Sequence, residues 1–347
     1  MKVKINFYLP TFLVFLLFAG ITVQAEVKEK TYKEQWPVNS VQTLQIDNRF
    51  GEIRIADKGG SNVTIDVVVT VEASSERRAV ELLDLIDVNF GKSGNTITAE
   101  TIIARSFNSK QRFSIDYEVN VPNDKNLYIS NKYGNTFINE LTADGDFKIQ
   151  YGNLTVNKLN TKDDNSVKVN LAYGKSDIQE ARDVTVTVQY STMSFGILGD
   201  LQLNSKYTVV NLDDGQDINA ESKYDTFNFG TVNSLKANLK YTQVKVDMLK
   251  QILSLDSGYG GIRVGRIDKN FESVSVTSSY GQISLELDAL DYMLDASCEY
   301  CGVSYPQDKF RGDRIKENNR SVVRGKVGEG EGGSVTIKSR YGEIKLN

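Results

Sequence analysis

Residue types suited to chemistry are scarce in this chain, and the scarcity is informative. Two cysteines, Cys298 and Cys301, stand in C-x-x-C spacing, which serves dithiol redox centres and one half of some metal sites. A thioredoxin-like centre needs that motif at a helix N-terminus inside a βαβ unit, which the flanking sequence lacks, and a lone pair of thiols cannot complete a metal site. The pair is either a local disulfide, as an oxidising compartment would favour, or two free thiols. No histidine occurs among the 347 residues. That removes the commonest general base and the commonest transition-metal ligand, and with them histidine triads and zinc sites of the usual composition. Asp213-Asp214 and Asp163-Asp164 lack the alternating Asp/Asn frame of a calcium loop and read as turn chemistry. No motif asks for a cofactor.

Cations are placed with more regularity. Lys206, Lys223 and Lys240 each stand immediately before a tyrosine, and Lys132 and Arg340 hold the same place elsewhere. In register, such lysines form a cationic stripe beside aromatic rings. The stripe has two readings: a surface for an acidic polysaccharide, or solvated charges that keep a sheet edge from pairing with a neighbour. Arg311-Gly312-Asp313 spells a tripeptide that integrins read, in a stretch rich in charge and glycine, but three residues specify little. The net charge of −4 becomes −6 if residues 1–25, with Lys2 and Lys4, are removed. A mildly acidic chain offers no basic footprint for nucleic acid.

The elements that must position these residues announce themselves as a repeat. Phe50-Gly51, Tyr133-Gly134, Tyr151-Gly152, Tyr173-Gly174, Tyr259-Gly260, Tyr280-Gly281 and Tyr341-Gly342 each open a short alternating run, and Tyr173, Tyr190, Tyr207, Tyr224 and Tyr241 lie 17 residues apart. With each tyrosine as position 1, position 6 holds Ile178, Phe195, Leu212, Phe229 and Val246, and position 12 holds Val184, Leu201, Ile218, Leu235 and Ile252. Position 5 is polar throughout: Asp177, Ser194, Asn211, Asn228 and Lys245. Alternation of period two preserved from unit to unit means half-buried strands, which excludes helical repeats. The leucine-rich frame is absent, and propeller blades need about twice the period.

The fold class expected is mainly β: a parallel β-solenoid, or β-helix, with a small N-terminal α+β cap. Each rung gives one strand at positions 2–6 and another at 12–16, with Gly- and Asp-bearing turns such as 213–215 and 229–230 between them. Tyr133, Tyr151, Tyr173, Tyr190, Tyr207, Tyr224, Tyr241, Tyr259 and Tyr280 then form a structural ladder. The following glycine suits a corner, yet Ser191, Thr208, Asp225 and Thr242 fill its slot, so glycine is preferred there and not required. Residues 1–25 have the basic start, apolar run and small-residue end of a signal peptide, and the apolar run is shorter than a membrane span. Residues 26–121 form the cap, with strands near 41–46, 52–56, 63–71, 96–103 and 113–121 and a helix at about 75–87 behind the N-cap Ser74-Ser75. Residues 122–347 form the solenoid of 17–22-residue rungs, interrupted by an inserted loop or hairpin at about 306–333.

Asp47-Asn48-Arg49-Phe50-Gly51-Glu52-Ile53, the helix at 76–87, the strand at 113–121 and the units Asn131-Lys132-Tyr133-Gly134 and Ser222-Lys223-Tyr224 resemble the family of bacterial envelope proteins named putative adhesin. The resemblance spans residues 38–347. It implies a parallel β-solenoid and an exported bacterial protein in the periplasm, on the outer surface or secreted, and it supplies no catalytic residues. The function expected is non-enzymatic: presentation of a regular face to a glycan or an envelope protein, with no membrane span after signal cleavage. Two alternatives stand beside it, a polysaccharide lyase or hydrolase of parallel β-helix type and a periplasmic structural or stress-sensing component. The regularity of the central rungs counts against an enzyme, whose site would break the repeat with unlike convergent residues.

Overall fold

The structure, a computed structural model, describes residues 25–347 apart from 109, 161–164 and 288–289. Residues 1–24 of the expected signal peptide and the Asp163-Asp164 pair lie outside the described residues. The rest is a parallel β-solenoid, and five consecutive coils show its unit. Lys175–Gln189, Thr192–Lys206, Val209–Lys223, Thr226–Lys240 and Gln243–Tyr259 are long strands, each paired in parallel with the next. The first half of Lys175–Gln189 pairs with Asn153–Leu159 and the second half with Val167–Ala172. Each long strand therefore serves two faces of the coil. The stretches expected as turns, 213–215 and 229–230, lie inside these strands. Glycine permits the bend there: a Cβ on Gly230 would press on the Asp213 carbonyl one coil below.

In-out alternation fills the interior. Ile178, Phe195, Leu212, Phe229 and Val246 are all buried, as are Val184, Leu201, Ile218 and Leu235. Full burial of such side chains contributes roughly 1.5–3 kcal/mol each, and stacking joins them into one continuous core. One expected core position moves. The ladder slips by a residue between Val232 and Ser234, so Leu253, not Ile252, sits over Leu235 and is buried, while Ile252 is only half-buried. The 18-residue spacing from Tyr241 to Tyr259 absorbs the bulge.

Both ends are closed by strands added outside the first and last coils. At the N-terminal end Thr43–Arg49 and Ile53–Ala56 form a coil around Phe50. Outside it, Thr96–Ile103 and Ile86–Ser93 extend one face. Arg112–Asn120, Asn62–Ala73 and Glu26–Pro37 extend the other. The helix is Glu76–Leu83, shorter than expected, with Ser75 as its N-cap accepting from the Arg78 amide. Its Ala79, Leu82 and Leu83 are buried against the outer strands. Residues 86–87, expected as its tail, instead start a strand, and Glu26–Pro37 is a strand the pattern did not reveal.

At the other end the excursion at 306–333 is a hairpin of Phe310–Glu317 and Arg320–Val327, paired antiparallel onto Tyr292–Glu299. The chain then turns back. Ser334–Arg340 lies between Ser273–Tyr280 and Tyr292–Glu299, parallel to both, and Ile344–Leu346 lies between Ile283–Leu285 and Val303–Ser304. The last coil in sequence is thus not the last coil in space.

Candidate binding face

At most corners the aromatic, rather than the residue after it, carries the positive φ; Tyr259 and Tyr280 do not, and Gly260 takes a φ of 131° instead. Phe50 and Tyr133, Tyr151, Tyr173, Tyr190, Tyr207, Tyr224, Tyr241, Tyr300 and Tyr341 all have φ between 51° and 63°, a left-handed conformation that costs an L-residue about 1–2 kcal/mol. Stacking supplies the compensation. Among the described residues Phe50, Tyr133, Tyr151, Tyr173, Tyr190, Tyr207, Tyr224, Tyr241, Tyr259, Tyr280, Tyr341 and Tyr300 form one pile in that order, with centroids 4.6–5.0 Å apart and planes within 16°. The pile is on the order of 50 Å long at one inter-strand spacing per ring. It places Tyr341 ahead of Tyr300. Ring faces inside it are covered by neighbouring rings, so edges and hydroxyls meet solvent, leaving no flat aromatic platform for a sugar.

Glycine at position 2 answers a steric demand. A Cβ on Gly134, Gly152, Gly174 or Gly281 would overlap the carbonyl oxygen of the glycine one coil below. Where Ser191, Thr208, Asp225 and Thr242 replace it, the side chains are buried and hydrogen-bonded. Asp225 is the clearest case: its carboxylate accepts from Ser205 Oγ at 2.7 Å, Ser222 Oγ at 2.6 Å, the Thr208 amide at 2.7 Å and the Lys223 amide at 3.0 Å. Four donors explain how a carboxylate sits at 4% exposure without a cation. Ser205 and Ser222 belong to a buried polar set two residues before the aromatic of their coils, with Asn48, Asn131, Ser257, Ser278 and Ser339, whereas Ile149, Leu171, Val188, Leu239 and Cys298 fill that place elsewhere. Sequence reasoning missed this set, although Asn or Ser recurring where alternation demands an apolar residue was its signal.

Lys206, Lys223 and Lys240 face each other across successive strands. Lys206 Nζ lies 5.3 Å from the Tyr207 ring centroid, Lys223 Nζ 5.4 Å from Tyr224 and Lys132 Nζ 5.1 Å from Tyr133; Arg340 covers Tyr341 at 5.2 Å. No described carboxylate pairs with the three stacked lysines. In-register like charges cost roughly 0.2–1 kcal/mol per pair. Beside the row, on the same strands, a shallow groove of about 580 Å³ crosses six coils. Its outward residues are mostly amides and hydroxyls, including Gln202, Asn204, Asn219 and Asn238, with Asn238 donating to Glu221 at 2.6 Å.

The strongly perturbed titratable groups do not line this groove. Burial pushes the Tyr117 phenol up, against its hydrogen bond with Thr101, and pushes Tyr292 up to about 12. Tyr32 donates to Asp87 at 2.6 Å; burial raises the phenol, and the bond holds the carboxyl below its usual range. Asp200 is raised by desolvation first and then by Asp183 and Asp217, its neighbours along one corner.

The remaining sequence candidates lie elsewhere. The Cys298 and Cys301 sulfurs are within bonding distance, across Cα atoms 5.4 Å apart, at the Tyr300 corner. Arg311-Gly312-Asp313 runs along an exposed strand of the hairpin instead of a loop tip. Asp214 pairs loosely with Lys250 at 3.9 Å. Among the described residues no group of acidic or cysteine side chains is arranged to hold a metal ion, and no helix is long and apolar enough to cross a membrane.

No protein-family model matches the chain, and no curated protein does. Among solved structures it is similar to a "putative cell adhesion protein" from Clostridium sporogenes, at 11% identity over 92% of this chain and 99% of that one, with a TM-score of 0.21. A "putative adhesin" from Parabacteroides merdae aligns at 9% identity over 92% and 96%, with a TM-score of 0.35. A "putative lipid binding protein" from Parabacteroides distasonis aligns at 11% identity over 72% and 96%, with a TM-score of 0.24. Superpositions this loose carry no function across.

Proposed function

We propose that this chain is an exported, non-enzymatic binding protein whose Lys206–Lys223–Lys240 row and adjoining amide-rich groove engage an acidic glycan of the cell envelope. One observation carries the reading: three cations held in register, without a carboxylate partner among the described residues, on a chain that is acidic overall. The row costs stability when empty, and a polyanion laid along the coils relieves that cost. The repeat of the coils suits a ligand that itself repeats, and the groove is lined mainly by amides and hydroxyls, with Glu221, Lys236 and Asp256 among them. Export rests on the character of residues 1–25.

The test is binding of the mature chain to polygalacturonate, with neutral dextran as control, across a range of salt. Binding that weakens with salt and is lost in the Lys206→Glu/Lys223→Glu/Lys240→Glu variant supports the reading. Accumulation of unsaturated or reducing ends would instead make this a lyase or hydrolase, and equal binding by the variant would dismiss the row.

A further inference from the structure

The segment 334–346 fills a slot whose two walls were built before it in the chain. Its first strand pairs Val335 and Ile337 with Val274 and Val276 on one side and with Leu294 and Ala296 on the other. Ile344 sits between Ile283 and Val303. Tyr341 stacks at 5.0 Å on both Tyr280 and Tyr300. Val335, Ile337, Ile344 and Leu346 are at most 2% exposed. Val335, Ile337 and Ile344 are each paired in register on both sides.

We propose that this slot also accepts segment 334–346 from a second copy of the chain, giving strand-exchanged dimers and longer assemblies. The walls and the hairpin at 310–327 precede the segment, so the walls must stand apart, or open, before it enters. During that interval they present two parallel strand edges, the usual template for pairing with another chain. The pattern those edges select is the one this chain repeats: a buried Val/Leu, a buried Ile/Ala/Val, a small polar residue or cysteine, then Tyr. A donated segment makes the same contacts as the resident one. Only the tether differs, and Gly328 through Gly333 form a glycine-rich tether in which Gly328 and Gly330 already hold φ of 62° and 76°. Exchange of an identical element is a low-cost route to assembly when the hinge tolerates a new path.

The experiment uses the full mature chain in two differently tagged forms, one carrying Ser275→Cys and the other Thr336→Cys, positions that pair directly across the slot. The two are mixed at high concentration, warmed to just below the unfolding transition, cooled and oxidised. The proposal expects a heterodimer cross-linked between the tags and a dimer by light scattering. The double variant Ser275→Cys/Thr336→Cys, oxidised alone beforehand, closes within one chain and stays monomeric. The idea fails if the double variant closes but the mixed single variants give no heterodimer. It fails equally if a control pair within a continuous coil, Lys245→Cys with Arg263→Cys, cross-links between copies to the same extent.

Discussion

Replacing Tyr207 by alanine and by glycine separates the two things its corner does. The ring stacks on Tyr190 and on Tyr224, each at 4.9 Å. At about 0.5–1.5 kcal/mol per pair beyond area burial, the two contacts contribute about 1–3 kcal/mol, and the covered part of the ring, which is 42% exposed, adds about 1 kcal/mol. Tyr207→Ala therefore destabilises by about 2–4 kcal/mol. Alanine keeps the strain of φ 54°, whereas glycine relieves about 1–2 kcal/mol of it. Tyr207→Gly is accordingly the more stable of the two, reversing the usual order in a strand, where glycine is worse than alanine by roughly 0.5–1 kcal/mol. Tyr300, which ends the pile on one neighbour, loses half as much stacking as Tyr207 when changed to alanine. Because coils can unfold locally, the assay is urea denaturation by circular dichroism together with hydrogen exchange at the amides of residues 205–209. Glycine less stable than alanine at 207, or equal stacking losses at 207 and 300, refutes the reasoning.

Three further outcomes follow from the same geometry. Gly152→Ala forces a Cβ onto the Gly134 carbonyl oxygen and lowers the urea midpoint, whereas Gly302→Ala, with open space around it and no positive φ, leaves the neighbouring coils unchanged by hydrogen exchange. Asp225→Ala strands the Ser205 hydroxyl and the Thr208 and Lys223 amides, with Ser222 left only its bond to Thr242, and costs about 3–5 kcal/mol by denaturation; Asp225→Asn, which keeps an acceptor, costs less. Asp200 has its folded pKa raised by desolvation and by Asp183 and Asp217, so its contribution is fully present below the ordinary carboxylate value and is lost as pH rises through the folded value. Asp200→Asn therefore matches the parent at low pH and melts higher above that window, by no more than about 1 kcal/mol because the site is exposed.

The architecture was legible because Tyr173 to Tyr241 keep one spacing and their apolar positions keep one parity, and those two facts fix strand stacking. The source of the corner's strain was not legible. Ser191, Thr208, Asp225 and Thr242 showed that position 2 tolerates a Cβ, but only backbone angles show that the tyrosine carries the positive φ. Asp225 read only as one of four residues filling the glycine slot, because the four donors around its carboxylate come from Ser205, Thr208, Ser222 and Lys223, and the stacking that brings two coils of them together is invisible along one chain. Ile252 was misplaced because a one-residue bulge shifts side-chain parity within the unit, and its trace in the sequence, the 18-residue spacing from Tyr241 to Tyr259, does not say where in the unit the extra residue falls. The insertion of 334–346 was hidden for a deeper reason: the Tyr341 unit has the same pattern as every other, so nothing in it says which coils it lies between. In the lysine row the pattern and the geometry agree, since a strict 17-residue repeat puts Lys206, Lys223 and Lys240 side by side once the strands are parallel.

The proposed role of this row is to bind a polyanion without turning it over. Isothermal titration of polygalacturonate into the mature chain and into the Lys206→Glu/Lys223→Glu/Lys240→Glu variant tests it most directly, with the titrated polymer recovered and sized. Salt-sensitive heat is expected in the parent, none in the variant, and polymer of unchanged length. Heat that survives charge reversal, or polymer that emerges shortened, contradicts it.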